Sequence, residues 1–172
     1  AGQRIARGEA ERLYKDVFEA AEGVTVNIGD WKARMASLLK GTEPFEDAKL
    51  KRLRAFVYGT PGEGGVIEGG LPDVVPFKTA HELQSMLRET LPSFKLIVGR
   101  SKGPAKALKT ELAHTIDSAL QEQNPAVIGP YKQANKFYAQ YADVYDRSVV
   151  PKVVKANPED FVEPTMLPAK GL

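Results

Sequence analysis

The sequence contains no cysteine. That excludes a disulfide framework, thiolate catalysis and any zinc or iron–sulfur centre held by cysteine. It leaves the redox compartment open. Histidine is nearly as scarce: His81 and His114 are the only two, and neither falls in a metal pattern such as H-E-x-x-H. Net charge is small, +2 from 24 basic and 22 acidic residues. The balance is even, +2 over residues 1–58 and zero over both 59–103 and 104–172, so the electrostatic footprint of a dedicated duplex-DNA binder is missing. No apolar run approaches the ~18 residues of a transmembrane helix, and no secretory leader is visible.

What is present suits an ordinary folded domain. The chain has 172 residues, 42% hydrophobic and 27% charged. A chain of that size buries roughly 70% of its unfolded surface, enough for one core without a metal or disulfide staple. The first residue is Ala1, and the stretch from Pro164 to Leu172 ends without a structural stop. The expectation is a single helical domain over 1–172, excised from a longer chain.

Helical periodicity dominates. Ala10, Leu13, Tyr14, Val17, Phe18 and Ala21 follow the i, i+3, i+4, i+7 spacing of one helix face, and Gly23 sits where a left-handed cap ends it. Val24 to Ile28 reads as a short extended connector. Asp30 is a candidate N-cap for a second helix with the stripe Trp31, Met35, Leu38 and Leu39, stopped by Gly41. A third helix is expected from Thr42, with Pro44 in its first turn, the stripe Leu50, Leu53 and Val57, and Gly59 as its close. Thr79 and Glu82 have capping-box spacing for a fourth, which Pro92 should end. Pro104 opens the clearest helix, with Ala105, Leu108, Leu112, Thr115, Ile116, Ala119 and Leu120 on one face. Asn124-Pro125 ends it. Tyr131, Ala134, Tyr138, Tyr141, Ala142, Tyr145 and Val149 then stripe another, and Asn157-Pro158 caps a last short one.

The fold expected is therefore all-α: a bundle of about six helices covering about two-thirds of the chain, against a base rate near one-third. Little or no regular strand is expected. One interruption stands out. Residues 59–76 hold six glycines and three prolines, a density of breakers that no helix survives. A flexible loop is the preferred reading, a loose hairpin around Val66–Ile67 the alternative.

No catalytic set assembles. Glu111 and Asp117 lie on different faces of their helix, and no nucleophile, base and orienting group come together, so neither catalytic residues, metal ligands, a cofactor nor a small-molecule substrate is expected. Lys95, Arg100, Lys102, Lys106 and Lys109 appear without an intervening acid between Glu89 and Glu111. Beside the start of the Pro104 helix, whose free N–H groups attract anions, Arg100, Lys102, Lys106 and Lys109 are candidate contacts to nucleic-acid phosphate or lipid headgroups. A solvated basic loop is the plainer reading. Lys49, Lys51, Arg52 and Arg54 spread around their helix and read as a solvated face. Tyr131, Tyr138, Tyr141 and Tyr145 suit core packing first and a protein interface second, since a tyrosine ring has an apolar body and a wet tip.

The order of elements resembles a known family. A Leu-Tyr-x-x-Val helix at Leu13–Val17 and a Val-Thr-Val connector precede two leucine-rich helices. A Thr-x-x-Glu-Leu-x-x-x-Leu-Arg segment runs from Thr79 to Arg88, and an Ala-Leu-Lys-x-Glu-Leu-x-x-x-Ile-Asp helix from Ala107 to Asp117. Tyr-Lys-x-Ala-x-x-x-Tyr spans Tyr131 to Tyr138, and Asn-Pro-Glu-Asp-Phe-Val spans 157–162. Over roughly residues 10–165 this is similar to the helical domains of large internal virion proteins of tailed bacteriophages, the DNA-ejection proteins. The resemblance implies a structural, oligomeric module carried in the virion and released into the host envelope or periplasm. There it would help form a conduit for the genome with other virion proteins, in transient contact with DNA or the envelope. Some members carry a separate murein-degrading domain, and no residue here matches such an active site. An interaction module unrelated to phage, using the Tyr131–Val149 face, is the alternative, and a cell-wall hydrolase the more remote one.

Overall fold

A computed structural model describes residues 2–97 and 103–141, without the side chains of 2–6 and 94–97. The chain is mostly helical. In order come α1 (Gly2–Ala20), β1 (Thr25–Asn27), α2 (Gly29–Leu38), α3 (Ala48–Tyr58), β2 (Thr60–Pro61), β3 (Ile67–Glu68), β4 (Val74–Pro76), α4 (Phe77–Ile97) and α5 (Gly103–Gln123). A further helix, α6, covers 128–141. Contacts group the chain into two compact units. One is Ala1–Glu19 with Gly129–Leu172, the other Ala20–Ile128.

The second unit is built on the expected stripes. Trp31, Met35 and Leu39, then Leu50, Leu53 and Val57, then Leu83 and Leu87, are all buried. On α5 the buried set is Ala105, Leu108, Leu112, Ile116, Ala119 and Leu120, the face read from the sequence save for half-buried Thr115. Each buried leucine, isoleucine, valine or methionine side chain contributes about 1.5–3 kcal/mol when removed from water. Trp31 keeps its one polar atom satisfied, its Nε1–H donating to the Leu108 carbonyl at 2.9 Å.

Strand is short but regular, and in residues 59–76 it takes the form of the alternative reading, a hairpin that includes Ile67. Within them β2 and β3 pair antiparallel, Thr60 opposite Glu68 and Pro61 opposite Ile67. β4 pairs antiparallel with β1, Val26 opposite Val75. The glycines supply the turns that a loop reading attributes to disorder. Gly59 ends α3 at φ 81°, and a Cβ there would stand 2.6 Å from the Glu68 carbonyl oxygen. Side chains then fasten the segment. Lys32 Nζ donates to the Leu71 carbonyl at 2.7 Å and lies 3.3 Å from Asp73 Oδ1. The Leu71 N–H donates to the Val57 carbonyl at 2.9 Å.

Several local signals give way as well. Thr42 and Pro44 belong to a separate 3-10 turn over Glu43–Phe45. The N-cap of α3 is Asp47, whose carboxylate accepts from the Leu50 N–H at 2.9 Å. Asp30 lies in the first turn of α2 instead of capping it. Its expected role passes partly to Asn27, whose Oδ1 accepts the Gly29 N–H at 2.9 Å. Thr79 lies inside α4, which starts two residues earlier, and Pro92 lies inside it too.

The first unit holds α1 and α6. Of the α1 stripe Ala10 and Val17 are buried, while Leu13, Tyr14 and Phe18 are half-buried. On α6 Tyr131 and Ala134 are buried. The exposed side of α1 carries ion pairs at helical spacing, Arg7 with Glu11 and Arg12 with Glu9 and Asp16. Such exposed pairs are screened by water and contribute little to stability.

Candidate functional site

In the first unit the two helices bring aromatic rings together. Tyr14 stacks near-parallel on Phe18, centroids 6.0 Å apart. It meets Tyr138 of α6 edge-on at 6.2 Å, and Tyr138 meets Tyr141 at 6.1 Å. The geometry follows from the ring quadrupole, which favours offset and edge contacts over face-to-face ones. The Tyr14 hydroxyl donates to Asn135 Oδ1 at 2.7 Å, which fixes the ring that links the other three. Tyr138 nonetheless leaves 39% of its surface exposed. The four rings form a surface-reaching aromatic ladder, in which the three tyrosines add hydroxyl tips to apolar bodies.

The sequence-derived interface residues therefore divide. Tyr131 is buried, Tyr138 is exposed and Tyr141 is half-buried. Tyr145 lies outside the described residues. Tyr14 and Phe18 join the cluster from α1, where periodicity alone reads them as core stripe. Their place on the half-buried flank of that stripe is the available signal.

Of the anion-contact candidates, two fall among the described residues. Arg100 and Lys102 lie outside the described residues. Lys106 and Lys109 are exposed on α5 and form no ion pair with a described residue. The solvated-face reading of residues 49–54 holds for Lys49, Lys51 and Arg52, which are exposed. It fails for Arg54. That guanidinium pairs with Glu46, whose side chain is 1% exposed, and its Nη2 also donates to the Leu39 carbonyl at 3.2 Å. The hydrogen bond to Glu46 raises the Arg54 pKa above its ordinary value. Glu46 is legible as an acid eight residues before Arg54, but helical spacing hides the pair because the chain turns between them.

Other perturbed groups sit in the second unit. His81 is 9% exposed on α4, and loss of hydration, aided by the charge of Arg88, pushes its pKa down to about 4. The Tyr58 hydroxyl donates to the Lys32 carbonyl at 2.5 Å. Burial pushes its pKa up to about 12. The Asp47 carboxylate is held below the usual range, first by the Ser93 hydroxyl and then by the Leu50 N–H. Among the described residues these groups stand apart, and no three His, Asp or Glu side chains are placed to hold a metal ion.

A polar groove lies in the same unit, between β1 and the face of α5 that carries Glu111, His114, Ser118 and Glu122. Glu111 pairs with Arg34. Nothing local in the sequence marks the strand that faces these α5 residues. No helix among the described residues is long and apolar enough to cross a membrane. No family model matches the chain, and neither a curated protein nor a solved structure matches it.

Proposed function

We propose that the chain is a non-catalytic, helical-bundle module of a virion protein that tailed phages eject into the host. It assembles there with copies of itself and with other virion proteins, in the envelope or periplasm, as part of a path for the genome. The α1–α6 aromatic ladder carries the reading. Tyr14, Phe18, Tyr138 and Tyr141 form a patch of large aromatic rings, three of them amphipathic, the composition that protein interfaces favour. Tyr138 belongs to the Tyr-Lys-x-Ala-x-x-x-Tyr segment of the resemblance, so motif and patch coincide on one helix. The same patch would also serve an interaction module outside phage biology.

Light scattering and sedimentation across concentration, with and without liposomes, test assembly. Tyr138→Ser should shift the dissociation constant of self-association upward by about tenfold or more, the loss typical of an interfacial tyrosine. A chain that stays monomeric in every condition sinks the proposal for these residues. An oligomer untouched by Tyr138→Ser moves the interface elsewhere.

A further inference from the structure

The groove beside β1 has a volume of about 570 Å³, within the ~300–1,000 Å³ span of sites that take a small ligand. One wall is the outer edge of β1. Ile28 N–H donates to the Asp73 carbonyl and Phe77 N–H to the Val24 carbonyl. Antiparallel pairs alternate between bonded and non-bonded residues. Thr25 and Asn27, opposite Pro76 and Val74, therefore turn their main-chain donors and acceptors away from β4. Gln123 of α5 answers Thr25 as one residue of a third strand would. Its Oε1 accepts the Thr25 N–H at 2.9 Å, and its Nε2 donates to the Thr25 carbonyl at 2.6 Å.

Asn27, two residues on, presents the same outward couple, and no described residue bonds its main-chain N–H or C=O. The charge around it has one sign. Asp30 and Glu122 line the groove, are exposed and form no ion pair with a described residue. Glu111 is already matched by Arg34. No lysine or arginine lines the groove. An occupant thus meets one unanswered donor–acceptor couple and two uncompensated carboxylates. A polyamine, which brings only donors, leaves the Asn27 N–H unmet. A peptide backbone brings both donor and acceptor at the ladder spacing.

We propose that this groove binds an extended basic peptide segment of a partner protein. Its backbone pairs with Asn27 on the β1 edge, and its lysine or arginine side chains face Asp30 and Glu122. The site lies wholly in the second unit and is independent of the aromatic ladder.

Trp31 lines the groove and is the only tryptophan in the chain, so its fluorescence reports occupancy. The intact chain is titrated at low salt with acetyl-(Lys-Val)3-amide and acetyl-(Arg-Thr)3-amide. A saturable change is expected, with affinity about tenfold weaker for Asp30→Asn/Glu122→Gln. A peptide N-methylated at alternate residues should lose affinity similarly, and acetyl-(Glu-Val)3-amide should give no response. Both substitutions are at exposed positions, and an unchanged thermal melt verifies the fold. The proposal is overturned if neither basic peptide gives a saturable change to millimolar concentration, or if the double variant binds equally well. Spermidine binding as tightly as the peptides overturns it in favour of a simple cation site. Self-association abolished by the double variant overturns it in favour of a second copy of the chain.

Discussion

His81 makes stability depend on pH in a direction the structure fixes. Its folded-state pKa lies near 4, against 6.5 for a free side chain, because the imidazolium is unfavourable in a site that is 9% exposed. The unfolded chain therefore binds the proton first as pH falls. The stabilisation is fully present above about pH 6.5 and is lost progressively down to about pH 4. Across the whole window the linkage amounts to about 3 kcal/mol, and between pH 7 and pH 5 to about 2 kcal/mol. Urea unfolding at those two pH values measures it. Carboxylates also respond in this range, so the control is His81→Gln, which has no titration of its own. The wild type should lose about 2 kcal/mol more than the variant on going from pH 7 to pH 5. NMR of the ring protons should show His81 neutral at pH 5, with His114→Gln used for assignment. Equal losses in the two proteins, or a ring that titrates near 6.5, would refute the reasoning.

Three further outcomes follow from the geometry. Arg54→Met strands the Glu46 carboxylate in a site 1% exposed and should cost about 3 kcal/mol at pH 7. Adding Glu46→Gln should recover part of that, and denaturant midpoints of the four proteins give the coupling. Pro92→Ala restores an N–H to the interior of α4 and should raise stability by about 1–3 kcal/mol, seen as a higher melting temperature. Gln123→Ala removes both bonds to Thr25 and should cost about 1–2 kcal/mol. Hydrogen exchange should quicken at the Thr25 amide more than at Val26.

The sequence disclosed the helix faces because burial of α2, α3 and α5 is decided by a period that one segment carries alone. Leu108, Leu112, Ile116 and Leu120 are spaced for a single face whatever lies opposite, and they are buried. Helix ends depended on chemistry between segments and were less legible. Asp47 out-competes Thr42 as a cap because its second oxygen is engaged by Ser93, forty-six residues away. The extended reading of Val24 to Ile28 located β1, but its pairing with β4 was hidden for the same reason. Thr25–Asn27 and Val74–Pro76 are three residues each, too short for a period, and they exist only as a pair. Of the candidate interface, Tyr138 and Tyr141 were legible as a stripe. The contact of Tyr138 with Tyr14 needed two helices from opposite ends of the chain.

Pro92 shows how a strong local signal loses to packing. A proline inside a helix costs about 3 kcal/mol through its missing donor and its clash with the preceding turn. Stopping α4 at that point would free Ser93, which is buried with its hydroxyl bonded to Asp47. The Asp47–Ser93 contact in turn steadies the carboxylate that caps α3. Both contacts oppose the proline penalty, and the helix continues past Pro92. The balance has a consequence for the Pro92→Ala variant. With Pro92 in place, Ser93→Ala should fray α4 at residue 92, whereas the Pro92→Ala chain should tolerate the same loss with its helix intact. Amide exchange at residues 93–97 distinguishes the two, and equal protection in both chains would show that the Asp47 contact is not what carries α4 past its proline.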